Sequence, residues 1–440
     1  MRILLLDPPN HALARTGFSV QTHPLGLGYV AAALAPHHDV AQIVPDARPF
    51  QATEDVWGTI LQAAADYNPQ LIGITAVTAT FPSARTLATR LRAVLPEVPI
   101  VLGGVHVSFK PEDGLAVPAV DWVVRGEGEQ AMVEIAAALE AGRSPEGTAG
   151  VSGRRADGTI WRGPPRPPIK DLDGLAPPRR DGVLWAEHLQ PAFYQSIITL
   201  RGCPYTCIYC SVPASSERQT RYRSADNITD EIAMLVDRYR VPYLFFHDSV
   251  FTLHRRRTLA LLDGLAARGL RVPFACQTRT DRVDPELLDR LAQAGCHQIF
   301  FGIESGHPES LAKMHKATPL SEIRAAVSEV RRRGIRCTGF FMVGFPWETE
   351  EHLDTTADFA TDLGLDAVSL FSATPLPGTA LWDLWTAPLP DAIDFRAPQV
   401  NLTRLPDAEY AARFLAVKAR VEAYNQTTML AGVMGHWPRG

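Results

Sequence analysis

Three cysteines, Cys203, Cys207 and Cys210, fall within eight residues in the stretch RGCPYTCIYCS. Their C-x3-C-x2-C spacing crowds three thiols onto one loop, and thiolates favour zinc or iron–sulfur clusters. Structural zinc normally takes about four protein ligands, and no Cys or His follows Cys210 within 30 residues. Three ligands instead suit a 4Fe–4S cluster that leaves one iron open for a substrate or cofactor. The remaining cysteines, Cys276, Cys296 and Cys337, are scattered, and none of the six precedes Cys203. That distribution argues against a disulfide framework. Cys276 and Cys337 read as buried, inert thiols.

A chain of 440 residues is long enough for two or three domains, each with its own core. Hydrophobic residues make up 46% and charged residues 21%, a globular balance that excludes disorder and coiled coil as whole-chain readings. With Lys+Arg 43 against Asp+Glu 48 the net charge is −5, which speaks against a nucleic-acid partner. No apolar stretch reaches the length of a membrane span, and MRILLLDPPN is too short and too acidic for a signal peptide. A soluble, cytoplasmic protein is expected.

The elements that must position the cysteine loop follow from hydrophobic runs. Short apolar segments at Ile3–Leu6, Val40–Val44, Leu71–Thr75, Ile100–Leu102 and Trp122–Val124 read as buried parallel strands. Helical spacing at Ser83–Leu95 and Gln130–Leu139 separates them, so residues 1–150 are expected to form a doubly wound, Rossmann-like α/β domain. Its ligand crevice lies at the carboxyl ends of the strands. Residues 151–190 carry Pro164, Pro165, Pro167, Pro168, Pro177 and Pro178 and read as a Pro-rich surface linker.

From residue 191 to 385 strands and helices alternate again. Strands are expected at Ser196–Leu200, Tyr243–Phe246, Phe274–Thr278, Ile299–Ile303, Thr338–Val343 and Val368–Phe371. Helices follow at Ile228–Tyr239, Thr258–Arg268, Pro285–Ala294, Glu322–Arg333 and Leu353–Leu363. Six such units fall short of the eight-stranded barrel, which leaves an open partial (β/α)6 barrel. Residues 386–440 form a short helical C-terminal segment with one helix at Asp407–Tyr424. The basic triplets Arg255–Arg257 and Arg331–Arg333 read as solvated helix faces. Trp382, Trp385 and Trp437 read as packing aromatics.

A cysteine motif of this spacing after the first strand of a partial barrel resembles the radical S-adenosylmethionine (SAM) superfamily. The resemblance implies a 4Fe–4S cluster on Cys203, Cys207 and Cys210, whose open iron takes the amino and carboxylate groups of SAM. One electron then cleaves the sulfonium to a 5′-deoxyadenosyl radical. Tyr209 matches the aromatic residue that packs near the adenine. The family often holds the SAM amino group with Gly-Gly-Glu; here the stretch is FHDS, a departure in which Asp248 would be the acceptor. Gln277 and Arg279 in CQTRTD, with Glu304 in FGIES, resemble the groups that reach the SAM carboxylate and ribose. Gly344 and Pro346 in GFFMVGFPWET resemble the glycine motif near adenine, and PLPGT resembles the close of the sixth strand.

The first domain resembles the cobalamin-binding domains that precede such barrels, and the combined resemblance covers roughly residues 1–385. It implies that Thr75 and Thr78, in the small-residue run after one strand, admit the nucleotide tail of cobalamin. Gly103 and Gly104, followed by Val105, let the backbone approach it, and Gly126 and Glu127 line the same crevice. No Asp-x-His-x-x-Gly motif occurs, so cobalt is expected without a lower ligand from protein; His11, His23 and His106 read as hydrogen-bonded site or core residues.

The resemblance points to a cobalamin-dependent radical SAM methyltransferase. Such an enzyme methylates an unactivated carbon of a small-molecule, natural-product or peptide substrate, through methylcobalamin and the 5′-deoxyadenosyl radical. A flavodoxin- or ferredoxin-type reductase is implied as electron donor. The alternatives are an oxidative cyclase, ring-contraction or oxygenation enzyme with the same cofactors, and a non-catalytic cobalamin or iron–sulfur sensor.

Overall fold

The computed structural model describes residues 1–9, 22–45, 54–155, 157–390 and 393–430. Contacts divide the chain into two units between Tyr194 and Gln195.

In the first unit the strands are β1 (Arg2–Leu6), β2 (Asp39–Ile43), β3 (Leu71–Thr75), β4 (Ile100–Gly103), β5 (Trp122–Val124), β6 (Val151–Arg154) and β7 (Ile160–Arg162). The sheet order is β2-β1-β3-β4-β5-β6-β7, parallel through β5 and antiparallel from β5 to β7. Strand β1 explains the two-sided burial. Ile3 and Leu5 enter one core with Leu27, Leu34 and Ile135, while Leu4 and Leu6 enter another with Ile60, Leu87 and Leu91. Alternate side chains feed opposite helical layers, as a doubly wound sheet requires. The order reverses at the β1/β3 junction, where the crevice outside the carboxyl ends opens.

The expected five-strand domain ending at residue 150 needs correction, and so does the linker. Strands β6 and β7 pair as an antiparallel hairpin on the β5 edge, with Asp157 and Gly158 in the turn and Arg155 N–H donating to Thr159 O at 2.9 Å. Farther along, Gln42 N–H donates to Gly182 O at 2.8 Å and Leu184 N–H donates to Gln42 O at 2.8 Å, so Val183 bridges to β2. Residues 151–190 therefore cover both edges of the sheet and satisfy its outermost backbone groups. Arg180, at 1% exposure, is among the most buried side chains of the chain.

In the second unit the strands are β8 (Ser196–Ile197), β9 (Leu200–Arg201), β10 (Arg221–Tyr222), β11 (Leu244–Phe246), β12 (Phe274–Thr278), β13 (Cys296–Glu304), β14 (Arg336–Val343) and β15 (Ala367–Ser372). Six of them form one parallel sheet in the order β8-β11-β12-β13-β14-β15, the expected partial barrel. Helices Ala225–Tyr239, Arg255–Ala267, Pro285–Gln293, Leu320–Arg332 and Glu350–Asp362 follow the strands in turn.

The C-terminal segment closes this unit. Its helix runs to Leu430, beyond the expected end at Tyr424. Tyr410, Phe414, Val417 and Val421 form its buried stripe, at the spacing a helix needs to keep one face inward. Asn425 then caps the free edge of the sheet. Its side-chain oxygen accepts from Val368 N–H at 2.9 Å and its amide donates to Val368 O at 2.8 Å. A helix side chain thus stands in for the missing neighbouring strand. Among the described residues, no helix is long and apolar enough to cross a membrane.

Candidate functional site

The expected strand Ser196–Leu200 breaks at Ile198 and Thr199, and side chains explain the break. Arg223 donates to Ile198 O at 2.8 Å and Arg257 donates to Thr199 O at 2.6 Å. Asp248 accepts from Thr199 N–H at 2.7 Å, from Leu200 N–H at 3.1 Å, and from the Thr199 hydroxyl. Arg223 is itself held by Glu231 at 2.6 Å, both buried. Backbone groups that a ladder would pair are taken by three charged residues, Arg223, Arg257 and Asp248, at the root of the cysteine loop, and Glu231 braces the first of them. Two expectations change here. The Asp248 carboxylate is occupied at the root of the loop, and Arg257 is a structural donor, not part of a solvated face. Burial raises the pKa of the Asp248 carboxyl against the hydrogen bonds from Thr199.

Gly202 then turns the chain at φ +94°, where a Cβ would strike Gln219 O. The loop it starts is tied down by its backbone. Ile208 N–H donates to Met314 O at 3.3 Å, Leu381 N–H donates to Ile208 O at 2.9 Å, and Cys210 N–H donates to Cys207 O at 3.2 Å. All three cysteines are free; Cys203 is buried, and Cys207 and Cys210 are half-buried. Burial pushes the Cys210 thiol up to about 11, and Cys207 and Cys203 push it the same way. Cys203 is raised as well, first by burial. Crowded, desolvated thiols bind as thiolates only to a cationic centre, so this donor set fits a metal cluster and not a redox pair.

Around the loop lies a polar group that the sequence identified in part. Arg279 forms a bidentate pair with Asp281 at 2.8 and 2.9 Å, and its guanidinium stacks over Tyr205 at 4.0 Å. Its Nη1 is buried with no hydrogen-bond partner, although Arg279 is only 7% exposed. A buried donor left bare fits an anionic ligand group such as a carboxylate. Glu304 pairs with Lys316 at 2.8 Å, both below a tenth exposed. Burial, then Glu304, lifts the Tyr209 phenol well above its ordinary value. Glu304 sits at φ +76° where the β13–β14 register shifts, a strained placement for a non-glycine residue. Gln277 is half-buried two residues before Arg279. Lys316 and Tyr205 were not anticipated; Lys316 lies past the end of its helix, with no motif to flag it.

Beside Cys210 a cavity of about 270 Å³ is lined by Tyr209, Ser211, Met342, Phe371, Thr374 and Phe395, among others. Its apolar walls fit a flat heterocycle such as adenine. Gly344, at φ +100°, forms the turn after β14, and a Cβ there would collide with the Tyr410 hydroxyl. Glu348 holds that turn, accepting from Gly344 N–H at 2.7 Å, Phe345 N–H at 3.1 Å and Ser310 Oγ at 2.9 Å. Burial raises its carboxyl to about 7 against those hydrogen bonds. Pro346 is half-buried in the same turn.

In the first unit, Thr75 ends β3 opposite Gly103 of β4. Gly104, at φ +99°, passes so close to the Ala76 backbone that any Cβ would collide, whereas Gly103 and Gly126 face open space. Val77 and Val105 are 49% and 38% exposed at the carboxyl ends of β3 and β4. Apolar side chains held outward beside bare glycines fit a large, flat, partly apolar cofactor. Thr78 is engaged with His106 at 3.3 Å, and His106 also reaches Asp113 at 3.2 Å and stacks on Phe81 at 4.1 Å. Glu127 accepts from Ile169 N–H at 2.6 Å. Its carboxylate anchors the covering segment. Burial lowers His23 to about 3, and it hydrogen-bonds Gln42 at 3.2 Å as a core residue. His11 and Trp437 lie outside the described residues.

Comparison with known proteins agrees with both halves. The B12 binding domain family matches residues 14–136, and the Radical SAM superfamily matches residues 197–360. An uncharacterized methyltransferase of Pyrococcus horikoshii is 31% identical over 87% of this chain and 83% of its own. Anaerobic magnesium-protoporphyrin IX monomethyl ester cyclase of Rubrivivax gelatinosus is 29% identical over 87% of this chain and 69% of its own. Among solved structures, the radical SAM methyltransferase TsrM of Kitasatospora setae, with cobalamin and a [4Fe-4S] cluster bound, shares the fold. Its TM-score is 0.71 at 22% identity, covering 94% of this chain and 81% of that one. With its thiol loop, its bare guanidinium and its glycine-opened crevice, the chain belongs to the cobalamin-binding radical SAM enzymes, which work with a 4Fe–4S cluster, SAM and cobalamin.

Proposed function

We propose that this enzyme methylates an unactivated carbon of an apolar small molecule. The observation that carries the reading is the presence in one chain of two sites that methyl transfer to such a carbon needs together. One is the loop of Cys203, Cys207 and Cys210 beside the bare Arg279 Nη1; the other is the crevice at Gly103, Gly104 and Gly126. When bound, these cofactors supply one-electron cleavage of the SAM sulfonium and a transferable methyl group.

The chain's own residues bind, orient and exclude water. The three thiolates hold the cluster. Arg279, already braced by Asp281 and Tyr205, offers its free donor to the SAM carboxylate. Gln277, two residues before Arg279, would assist it, and Tyr209 would supply an apolar wall for adenine. Glu304 is fixed by Lys316, so the pair presents a defined polar edge to the ribose. Asp248, Arg223 and Arg257 act at one remove, as positioning residues for the cysteine loop. In the first unit Thr75, Gly103, Gly104, Val105 and Gly126 form the cofactor face, while Thr78 and Glu127 brace it.

The barrel strands support the apolar substrate class. Phe245, Phe300, Phe340 and Phe371 form a ring-to-ring series across β11, β13, β14 and β15, with centroids 5.4, 5.7 and 6.0 Å apart. All four are only half-buried, unlike Phe246, Phe301 and Phe341 on the opposite face. Aromatic faces left uncovered favour an apolar, planar surface over a phosphorylated or strongly charged one. A flavodoxin- or ferredoxin-type protein is the fitting electron source. The test is incubation of the reconstituted enzyme, SAM and reductant with methyl-labelled SAM and candidate planar substrates. Label in a carbon-bound methyl of the product supports the reading; cyclised or oxygenated product without label moves it to the cyclase chemistry named for the Rubrivivax relative.

A further inference from the structure

Away from the cysteine loop, His307, Glu309 and His352 converge. One nitrogen of each imidazole and a Glu309 oxygen all lie within 4.8 Å of one another. The two rings stand 4.0 Å apart, centroid to centroid. His307 Nδ1 and His352 Nε2 are both buried and have no hydrogen-bond partner. Two buried ring nitrogens beside a carboxylate are costly while they have no partner. We infer that these three side chains form a binding site for one divalent transition-metal ion of the zinc class, with water completing its coordination.

The chemistry of the set is consistent with such an ion. Imidazole and carboxylate suit zinc, and three protein ligands with one open position are a common zinc arrangement. His352 carries the outer support that metal-bound histidines usually have. Its Nδ1 lies 2.9 Å from Thr349 Oγ1, and a proton on Nδ1 donated there leaves Nε2 as the ligand. That tautomer gives up only the longer contact from Thr349 N–H, at 3.3 Å. Glu309 is held at present by Lys313 at 2.6 Å, so the lysine is the competitor that an ion displaces.

The placement gives the ion a structural task. His307 lies just before helix Pro308–Lys313, soon after Glu304, and His352 lies in the first turn of helix Glu350–Asp362, soon after Glu348. An ion there staples the exit of β13 to the start of the helix behind the Gly344 turn. Ser305 Oγ to Thr356 Oγ1 at 3.0 Å already joins the same two segments.

The test is zinc content of cluster-loaded protein, so that Cys203, Cys207 and Cys210 are occupied. Protein is stripped with chelator, equilibrated with micromolar zinc chloride, desalted, and analysed for zinc and iron. One zinc per chain is expected in the natural protein, and almost none in His307→Gln or His352→Gln with iron unchanged. Glu309→Gln should weaken zinc binding by about tenfold or more, and Lys313→Ala should tighten it by about two- to fivefold. Those two positions are exposed, so they report even where a histidine variant misfolds. No zinc retained by the natural protein overturns the site. So does stoichiometric zinc in the histidine variants, or identical affinity in Glu309→Gln, Lys313→Ala and the natural protein.

Discussion

Arg279 brings a buried guanidinium nitrogen with no hydrogen-bond partner, Nη1, to the polar group around the cysteine loop. CQTRTD placed it near SAM by resemblance, and the fold shows which atom is free, because Asp281 and Lys316 O leave Nη1 bare. Arg279→Gln should weaken SAM binding by about 10- to 100-fold, the loss of one charge-assisted hydrogen bond, read by equilibrium dialysis with cluster iron unchanged. Replacing any one of Cys203, Cys207 or Cys210 with Ala should abolish cluster assembly, read as iron per chain. Glu348 gives a pH signature. Its carboxyl is raised from 4.5 to about 7, so the folded state favours the protonated form. Its contribution to stability is complete below the ordinary carboxyl range and is lost as pH rises through about 7. Glu348→Gln should remove that slope and raise stability at pH above 7 relative to the natural protein by up to about 3 kcal/mol, read as a higher thermal midpoint. Equal pH profiles for the two proteins would contradict the assignment. GFPWET is visible in the sequence, but the acid's job is not, since only the folded turn brings Gly344, Phe345 and Ser310 onto one carboxylate.

At the scale of elements, most strands and helices were legible because each hydrophobic run is short and bounded by Gly, Pro or Asp. What was not legible depended on partners distant in sequence. The break after β8 is set by Arg223, Arg257 and Asp248, each well downstream in the chain, so an unbroken strand was the natural expectation. Asp248→Ala should leave Thr199 and Leu200 N–H buried and unpaired, costing about 1–3 kcal/mol for each group. Reduced iron content with a lowered thermal midpoint checks it. The β6–β7 hairpin has a sequence signal in the turn pair Asp157-Gly158, but the prolines that follow make the same stretch read as a linker. Gly104 belongs to this scale too. A side chain there meets the Ala76 backbone and forces a left-handed residue, so Gly104→Ala should destabilise the first unit by about 1–3 kcal/mol and weaken cobalamin binding, measured by the visible spectrum after gel filtration.

At the scale of the molecule, composition excluded classes and the motifs chose among the remainder. Two α/β units and a 4Fe–4S site could be read from the chain alone; how the covering segment and the C-terminal helix protect sheet edges could not, because edge pairing by Val183 and Asn425 leaves no local pattern. In the proposed function both units serve one methyl transfer. The direct measurement is anaerobic: enzyme reconstituted with iron, sulfide and cobalamin is reduced and mixed with methyl-labelled SAM, and the label on protein-bound cobalamin is counted alongside 5′-deoxyadenosine. The expected result is label on cobalamin, with 5′-deoxyadenosine formed only while the three cysteines are intact. Cobalamin that stays unlabelled while SAM is cleaved would contradict methyl transfer, and a protein that retains no cobalamin would contradict the reading of the first unit.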